Sequence, residues 1–343
     1  MPQARPIVSV LLPVRDGAEH LEECLASLKA QTLEEFEIVA VDDGSMDATG
    51  EILAAWHRED DRLRVIPNQA PGLIAALNLG LEQCRSNLVA RIDADDRAHP
   101  DRLLRQVELL RADPGLTVAG CLVEHFAEQE VGRGLRIYER WLNSLLTHEE
   151  ILRERFIESP IPHPGAMFRR TAIVAAGGYR DLGWPEDYDL WLRLAASAHR
   201  FGKVREVLHF WRDRSLRMTR TDPRYSVERF LECKAEHLVL GPLEKCRELL
   251  VWGSGQTGRR LTKHLVRRGA PLAAFIDIDP AKIGRTVRGV EVLAPLALER
   301  FAARRGDGLI ILAAVSSRGA RAKIRTALDA GGWRETIDYW CAA

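Results

Sequence analysis

NLVARIDADDRAHP, residues 87–100, sets a short apolar run against three carboxylates, Asp93, Asp95 and Asp96, packed into four positions. The run reads as a strand buried on both faces. Like charges crowded at its end repel one another and gain nothing from a core, so their collection in one turn implies a positive partner, most simply a divalent metal ion. In a parallel sheet that turn would lie at the carboxyl edge, where open α/β sheets bind their ligands.

Outward from this turn, short apolar runs alternate with helical patterns, as in βαβ units. PIVSVLLPV (6–14), FEIVAVDDGS (36–45) and LRVIPN (63–68) read as strands. HLEECLASLKAQ (20–31), TGEILAAWHR (49–58), GLIAALNLGLEQC (72–84) and PDRLLRQVELLRA (100–112) read as helices. Pro13 to Asp16, Asp42 to Ser45 and Asp93 to Asp96 each follow a strand and are expected to converge on one crevice. A strand-rich stretch is expected over about 116–138 and a helix near 147–157. The prolines of SPIPHPGAMFRR (159–170) indicate a loop entering a strand. WPEDYDLWLRLAAS (184–197) begins a helix with Glu186, Asp187 and Asp189 in its first turn. KVREVLHFWR (203–212) reads as a strand and SLRMTRTDPRY (215–225) as a basic turn. Three segments are expected: a first domain over 1–222, a helical linker over 223–246 and a second α/β domain over 247–343.

Size and composition bound the function. At 343 residues, with 46% hydrophobic content, the chain is long enough for two cores. Lys plus Arg and Asp plus Glu both total 49, and this balance argues against a dedicated nucleic-acid binder. Six scattered cysteines without metal-ligand spacing suit reduced thiols in a cytoplasmic setting. The start MPQARPIVSV lacks the apolar core of a signal peptide, and no run is long enough to span a bilayer, so any membrane contact is expected to be peripheral.

Six segments, VSVLLPVRDGAEHLEECLASLKAQT, FEIVAVDDGSMDAT, GLIAALNLGLEQC, RIDADDRAHPDRL, HPGAMFRR and EDYDLWLRL, occur in the order and approximate spacing of the family-2 glycosyltransferases, which the first 220 or so residues resemble. The resemblance implies the GT-A fold of nucleotide-diphospho-sugar transferases, an α/β sheet flanked by helices. It also implies transfer of a sugar from a nucleotide-diphosphate sugar, with uridine as the favoured base, to a saccharide or glycolipid hydroxyl, usually with inversion.

DAD resembles the family's metal-binding DxD signature: Asp95 is expected to hold Mg²⁺ or Mn²⁺, Asp93 to contact the ribose or the metal, and Asp96 to be an alternative ligand. A solvated acidic turn capping the next helix is the structural alternative. The resemblance makes Asp43 an acceptor for the base, with Pro13 and Val14 lining that pocket; an Asx-turn that merely stabilises the loop is the alternative. It makes Asp187 the general base, with Glu186 as fallback, against favourable N-terminal helix charges. Asn68, Asn78, Trp184 and His163 are polar or stacking candidates that could equally be structural. Where many relatives carry a metal-completing His, this chain has Arg214. A guanidinium cannot ligate a metal but can pair with phosphate, so Arg214, Arg217 or Arg220 is a candidate diphosphate clamp against a solvated basic loop.

In the second half, Gly253, Gly255 and Gly258 form GxGxxG between a strand and a helix, and Asp277 ends the next strand. This is the context of a Rossmann dinucleotide fingerprint. The segment also resembles the Rossmann-like domains at the start of bacterial sugar acyltransferases. It is expected to have about four strands and either to bind a nucleotide or NAD or to act as a docking and homo-oligomerisation module. Two other functions stay open at this point: a sugar nucleotidyltransferase, and a non-catalytic sensor of NAD or nucleotide-sugar.

Overall fold

In the computed structural model, which describes residues 5–127, 130–214 and 217–343, the chain divides into two compact units. The first comprises the residues up to Ile151, Pro160–Leu182 and Glu186–Arg217; the second comprises Leu152–Ser159, Gly183–Pro185 and the chain from Met218 onward.

The strands of the first unit are β1 (Val8–Val14), β2 (Phe36–Asp42), β3 (Leu63–Pro67), β4 (Leu88–Arg91), β5 (Arg97–Ala98), β6 (Leu116–Phe126), β7 (Met167–Arg169) and β8 (Arg200–Arg212), forming one sheet in the order β3-β2-β1-β4-β7-β6-β8-β5. β3, β2, β1 and β4 run parallel, while β7 lies antiparallel to β4 and β6. Helices α1 (Ala18–Lys29), α2 (Thr49–Glu59), α3 (Leu73–Gln83) and α4 (Arg102–Ala112) follow the first strands as the apolar periodicity requires. All seven residues of β1 are buried, which explains why VSVLLPV carries no alternation.

α3 approaches the sheet closely at Gly80, where an added Cβ would stand 2.1 Å from Leu11 Cδ1 and 3.1 Å from Val41 Cγ2. Leu11 is itself fully buried and has nowhere to retreat. Gly80→Ala is therefore expected to destabilise the first unit by about 1–3 kcal/mol, the usual cost of overpacking, measured as a lower denaturation midpoint.

The expected strand region over 116–138 is only partly a strand. β6 ends at Phe126 and α5 (Arg133–Ser144) follows; Glu128 and Gln129 lie outside the described residues. Leu135, Tyr138 and Leu142 recur at helical spacing, and Leu142 is fully buried. Next come α6 (His148–Glu154), α7 (Arg170–Ala175) and α8 (Glu186–Ala196).

The second unit contains α9 (Met218–Thr221), α10 (Val227–Val239), α11 (Gln256–Arg267) and α12 (Ala320–Ala330) around a second sheet. Its strands are β9 (Glu248–Trp252), β10 (Leu272–Ile276), β11 (Thr286–Val287), β12 (Val290–Leu293), β13 (Leu309–Ala313) and β14 (Tyr339–Cys341), in the order β11-β12-β10-β9-β13-β14. The sheet has six strands, against the roughly four expected; β11 and β14 are two and three residues long, too short to show a period. The helix expected as a linker belongs to this unit. In α10, Lys234 Nζ donates to the carbonyls of Ile157 (3.1 Å) and Ala342 (2.9 Å), and Glu228 pairs with His264 of α11 at 3.0 Å. All six cysteines are free thiols, and all but Cys246 are buried.

Candidate active site

The carboxyl ends of β1, β2 and β4 lie side by side, and their loops are hydrogen-bonded together. Asp43 N donates to Val14 O at 2.8 Å, Asp16 N to Ser45 Oγ at 3.0 Å, and Met46 N to Asp16 Oδ1 at 2.7 Å. A Cβ on Gly17 would stand 3.6 Å from that of Ala94, and Cys24 Sγ donates to Asp93 O at 3.4 Å. The turns 13–16, 42–45 and 93–96 thus meet at one sheet edge, as their position after strands predicts.

The Asp93, Asp95 and Asp96 carboxylates bring oxygens within 4.8 Å of one another. Each also has a cationic or N–H partner from the chain. Arg91, buried in β4, pairs with Asp93, and Arg214 Nε lies 2.9 Å from Asp95 Oδ2. Asp96 is almost fully buried and accepts from Arg212 N at 2.8 Å and from His209 Nε2 at 3.0 Å.

The tautomer of His209 follows from its other partner. Arg102 Nη1 lies 3.2 Å from His209 Nδ1, and since a guanidinium only donates, Nδ1 must accept and the proton must sit on Nε2, facing Asp96. Burial, reinforced by Arg102, lowers the basicity of His209 and keeps the ring neutral. Burial raises the Asp96 carboxyl above the usual aspartate range, with Asp93 adding to the rise and the Arg212 N–H opposing it. Burial also raises Asp95, with Asp96 and Asp93 adding and Arg214 opposing. Arg91, Arg102, His209 and Arg212 escaped the sequence reading. For Arg91, His209 and Arg212 the available signal was a charged or imidazole residue interrupting the apolar runs NLVARI and KVREVLHFWR; Arg102, in α4, had none.

Asp43 is buried and turned toward the start of α3: its oxygens accept from Gly72 N at 2.8 and 3.0 Å, and Oδ1 also accepts from Asn68 Nδ2 at 2.7 Å. Asn68 is thereby placed as a brace of this acid. Asn78 is structural, since its amide exchanges two 2.9 Å hydrogen bonds with the Tyr179 backbone.

Glu186 and Asp187 open α8, the first buried and the second half-buried. Asp189 is committed elsewhere, to a buried 2.7 Å pair with Arg193. His163 is a loop residue whose Nε2 lies 2.7 Å from Tyr179 Oη, with burial and then Arg91 lowering its basicity. The Tyr179 hydroxyl is raised by burial; the Arg91 guanidinium opposes this while the Glu186 and Asp187 charges add to it. Arg91 and the acid pair of α8 therefore act on one buried phenol, and Arg91 in turn holds Asp93. Trp184 is buried and falls in the Gly183–Pro185 segment of the second unit. Arg217 lies over the Trp211 ring at 4.6 Å, and Arg220 is exposed in α9 of the second unit. Ser215 and Leu216, at the start of the expected basic turn, lie outside the described residues.

In the second unit Gly253, Gly255 and Gly258 form the turn from β9 into α11, and Asp277 follows β10. The Asp277 carboxylate accepts from Ser254 N at 3.0 Å and is buried beneath that turn.

The sheet edge gathers clustered carboxylates and a separate acid pair opens α8, and the comparisons with known proteins give the class: a glycosyl-transferring enzyme. A profile of glycosyl transferase family 2 matches residues 9–177. The amylovoran biosynthesis glycosyltransferase AmsE of Erwinia amylovora is 34% identical over 203 residues, 58% of this chain and 74% of the relative. A UDP-Gal:alpha-D-GlcNAc-diphosphoundecaprenol beta-1,3-galactosyltransferase of Escherichia coli is 27% identical over 206 residues, 59% of this chain and 73% of the relative. Among solved structures, S. aureus TarS 1-349 in complex with UDP superposes with TM-score 0.54 at 18% identity, covering 76% of this chain and 71% of TarS. The Pyrobaculum calidifontis mannosyltransferase PcManGT, in complex with GDP-Man and Mn²⁺, has TM-score 0.50 at 19% identity, covering 97% of this chain and 82% of its own. This chain belongs to glycosyl transferase family 2, and its first sheet has the GT-A fold expected from the sequence. A sugar nucleotidyltransferase and a non-catalytic sensor are thereby set aside. No helix among the described residues is long and apolar enough to cross a membrane.

Proposed function

We propose that the first unit moves a sugar from a nucleotide-diphosphate sugar, with uridine as the base, to a hydroxyl of a saccharide or glycolipid acceptor, with inversion, during assembly of a polysaccharide or glycoconjugate. The observation that carries the reading is the convergence of the Asp93, Asp95 and Asp96 oxygens within 4.8 Å at the carboxyl edge of the parallel strands. The relatives support it: the Escherichia coli galactosyltransferase uses UDP-Gal, TarS is seen with UDP, and the mannosyltransferase with GDP-Man and Mn²⁺.

A set of hard carboxylate oxygens fits Mg²⁺ or Mn²⁺. Asp93 and Asp95, both half-buried, would hold the ion, and Asp96, already engaged with His209 and Arg212, would steady the turn. When bound, such an ion acts as a Lewis acid that offsets charge on the departing diphosphate. Arg214, 2.9 Å from Asp95 Oδ2, would have to share this carboxylate with a cation held there. Its release toward the diphosphate, beside Arg217, would make it the clamp. Pro13, Val14 and Asp43 line the base pocket.

Asp187 takes the proton of the acceptor hydroxyl as that oxygen bonds to the anomeric carbon. The bond from this carbon to the diphosphate oxygen breaks on the opposite face, its electron pair leaving with the nucleoside diphosphate. Inversion follows from a single displacement. The same reading places the enzyme in the cytoplasm, with peripheral contact to a membrane carrying a lipid-linked acceptor.

A thermal-shift panel of nucleoside diphosphates and nucleotide-sugars, each with and without Mn²⁺, tests the donor assignment. At a ligand concentration 100 times Kd, binding stabilises by about 2.7 kcal/mol, so a uridine member should raise the melting temperature more in Mn²⁺ than in chelator. A panel with no metal-dependent response to any member would sink the reading.

A further inference from the structure

The second unit encloses a cavity of about 690 Å³ that glycosyl transfer in the first unit does not use. It opens beyond the carboxyl ends of β9, β10 and β13, where the order β12-β10-β9-β13 reverses at β9 and leaves a crevice between diverging connections. Trp252, Pro295, Ile324 and Ile278 give it apolar walls, the last an isoleucine 74% exposed along the cavity. Arg318 and Lys323 stand on its rim.

The three glycines at its floor differ in what holds them there. Gly253 has φ +120°, and its Cβ would stand 2.7 Å from Ala314 O; a Cβ on Gly258 would stand 1.8 Å from Gly253 O. The fold itself demands both. Gly255 is different: its φ of −74° and ψ of −169° suit any residue, and an added Cβ meets no atom within 4 Å. It caps the N-terminus of the twelve-residue α11, whose first N–H groups have no partner within the helix. Nothing in the chain requires a glycine there, and the absent side chain leaves the backbone open to the cavity.

Asp277 already serves the turn at the position where a dinucleotide's ribose is usually held. In that mode the acid accepts from a ribose hydroxyl. Here Oδ2 accepts from Ser254 N at 3.0 Å and Ser254 Oγ at 2.5 Å, with Lys282 Nζ 3.3 Å away, and Oδ1 accepts from Asp279 N at 3.1 Å. The acid braces the glycine turn.

We propose that this cavity is a second nucleotide site, for a mononucleotide phosphate. The phosphate lies over Gly255 and the first turn of α11, the base lies along Ile278 and Pro295, and Arg318 and Lys323 face the remaining charge. Asp277 is a positioning residue rather than a ribose acceptor. The assignment is independent of the donor site in the first unit.

Hydrogen exchange of the full chain with UDP, ADP and NAD⁺ tests it, because the readout is local. UDP or ADP at millimolar concentration should slow exchange over 253–262 and 314–320, whatever happens at 93–96. Gly255→Asp should weaken that protection about tenfold or more by setting like charge against the phosphate, a penalty of about 1.4 kcal/mol or greater. It should leave the ligand-free melting temperature equal or higher, since Asp is a better N-cap than Gly. Arg318→Ala with Lys323→Ala should weaken protection without touching the turn, and serves if Gly255→Asp does not fold. The proposal is overturned if neither mononucleotide protects the turn, if NAD⁺ alone does, or if these variants protect as the unmodified chain does.

Discussion

Asp187→Asn is expected to lower kcat by about 10²- to 10⁴-fold, the range lost when a positioned proton acceptor is removed, while the Kd of the nucleoside diphosphate stays unchanged. The substitution keeps the shape of the side chain and removes only its capacity to take the hydroxyl proton. The competing account treats Glu186 and Asp187 as favourable charges at the start of α8, worth about 0.3–1 kcal/mol each. That account predicts a small fall in melting temperature and near-normal turnover. Glu186→Gln separates the two acids. Glu186 is 2% exposed and Asp187 half-buried, so Asp187 is the more accessible of the two acids. Full turnover in Asp187→Asn with a collapse in Glu186→Gln would exchange their roles; full turnover in both would remove the base from this helix.

Asp95→Asn is expected to lower turnover by at least about 10²-fold, as when one preorganised electrostatic contact to the transition state is lost. It should also abolish the Mn²⁺-dependent gain in nucleoside-diphosphate affinity, read by calorimetry. Its effect on stability should have the opposite sign. Asp95 is disfavoured as an anion by burial and by Asp96 and Asp93, and Arg214, helped by a backbone hydrogen bond, opposes this. The Arg214 side chain is 39% exposed, and such pairs contribute only about 0–1 kcal/mol. The neutral variant should therefore melt at the same temperature or higher when divalent ions are chelated. A lower melting temperature with intact Mn²⁺ dependence would make the triple acid a structural cap. Holding like charges together is a strain the fold tolerates because the site needs them.

The sequence reading was strongest where chemistry and chain order coincide. Asp43, Asp93, Asp95 and Asp96 each follow an apolar strand, and in a parallel sheet any residue after a strand must emerge on the carboxyl edge. It was weaker for α5, which lies inside the stretch over about 116–138 expected to be strand-rich, and for the short strands of the second sheet, whose few residues carry no period. Asp277 was legible as an acid at the end of β10, but its saturation by Ser254 and Lys282 was not, since the donors come from a turn 23 residues earlier and a side chain five residues later.

What the sequence determined by itself is the alternation of strand and helix, the two α/β sheets and the edge at which the acids stand, because burial and backbone periodicity are local consequences of side-chain order. Only the tertiary structure decided which charge answers which. Arg91 meets Asp93, Arg214 meets Asp95, and His209 turns its proton toward Asp96 because Arg102 occupies its other nitrogen. Pairing energies depend on separation and on the surrounding dielectric, and both quantities come into being when distant strands are laid side by side and water is driven from between them.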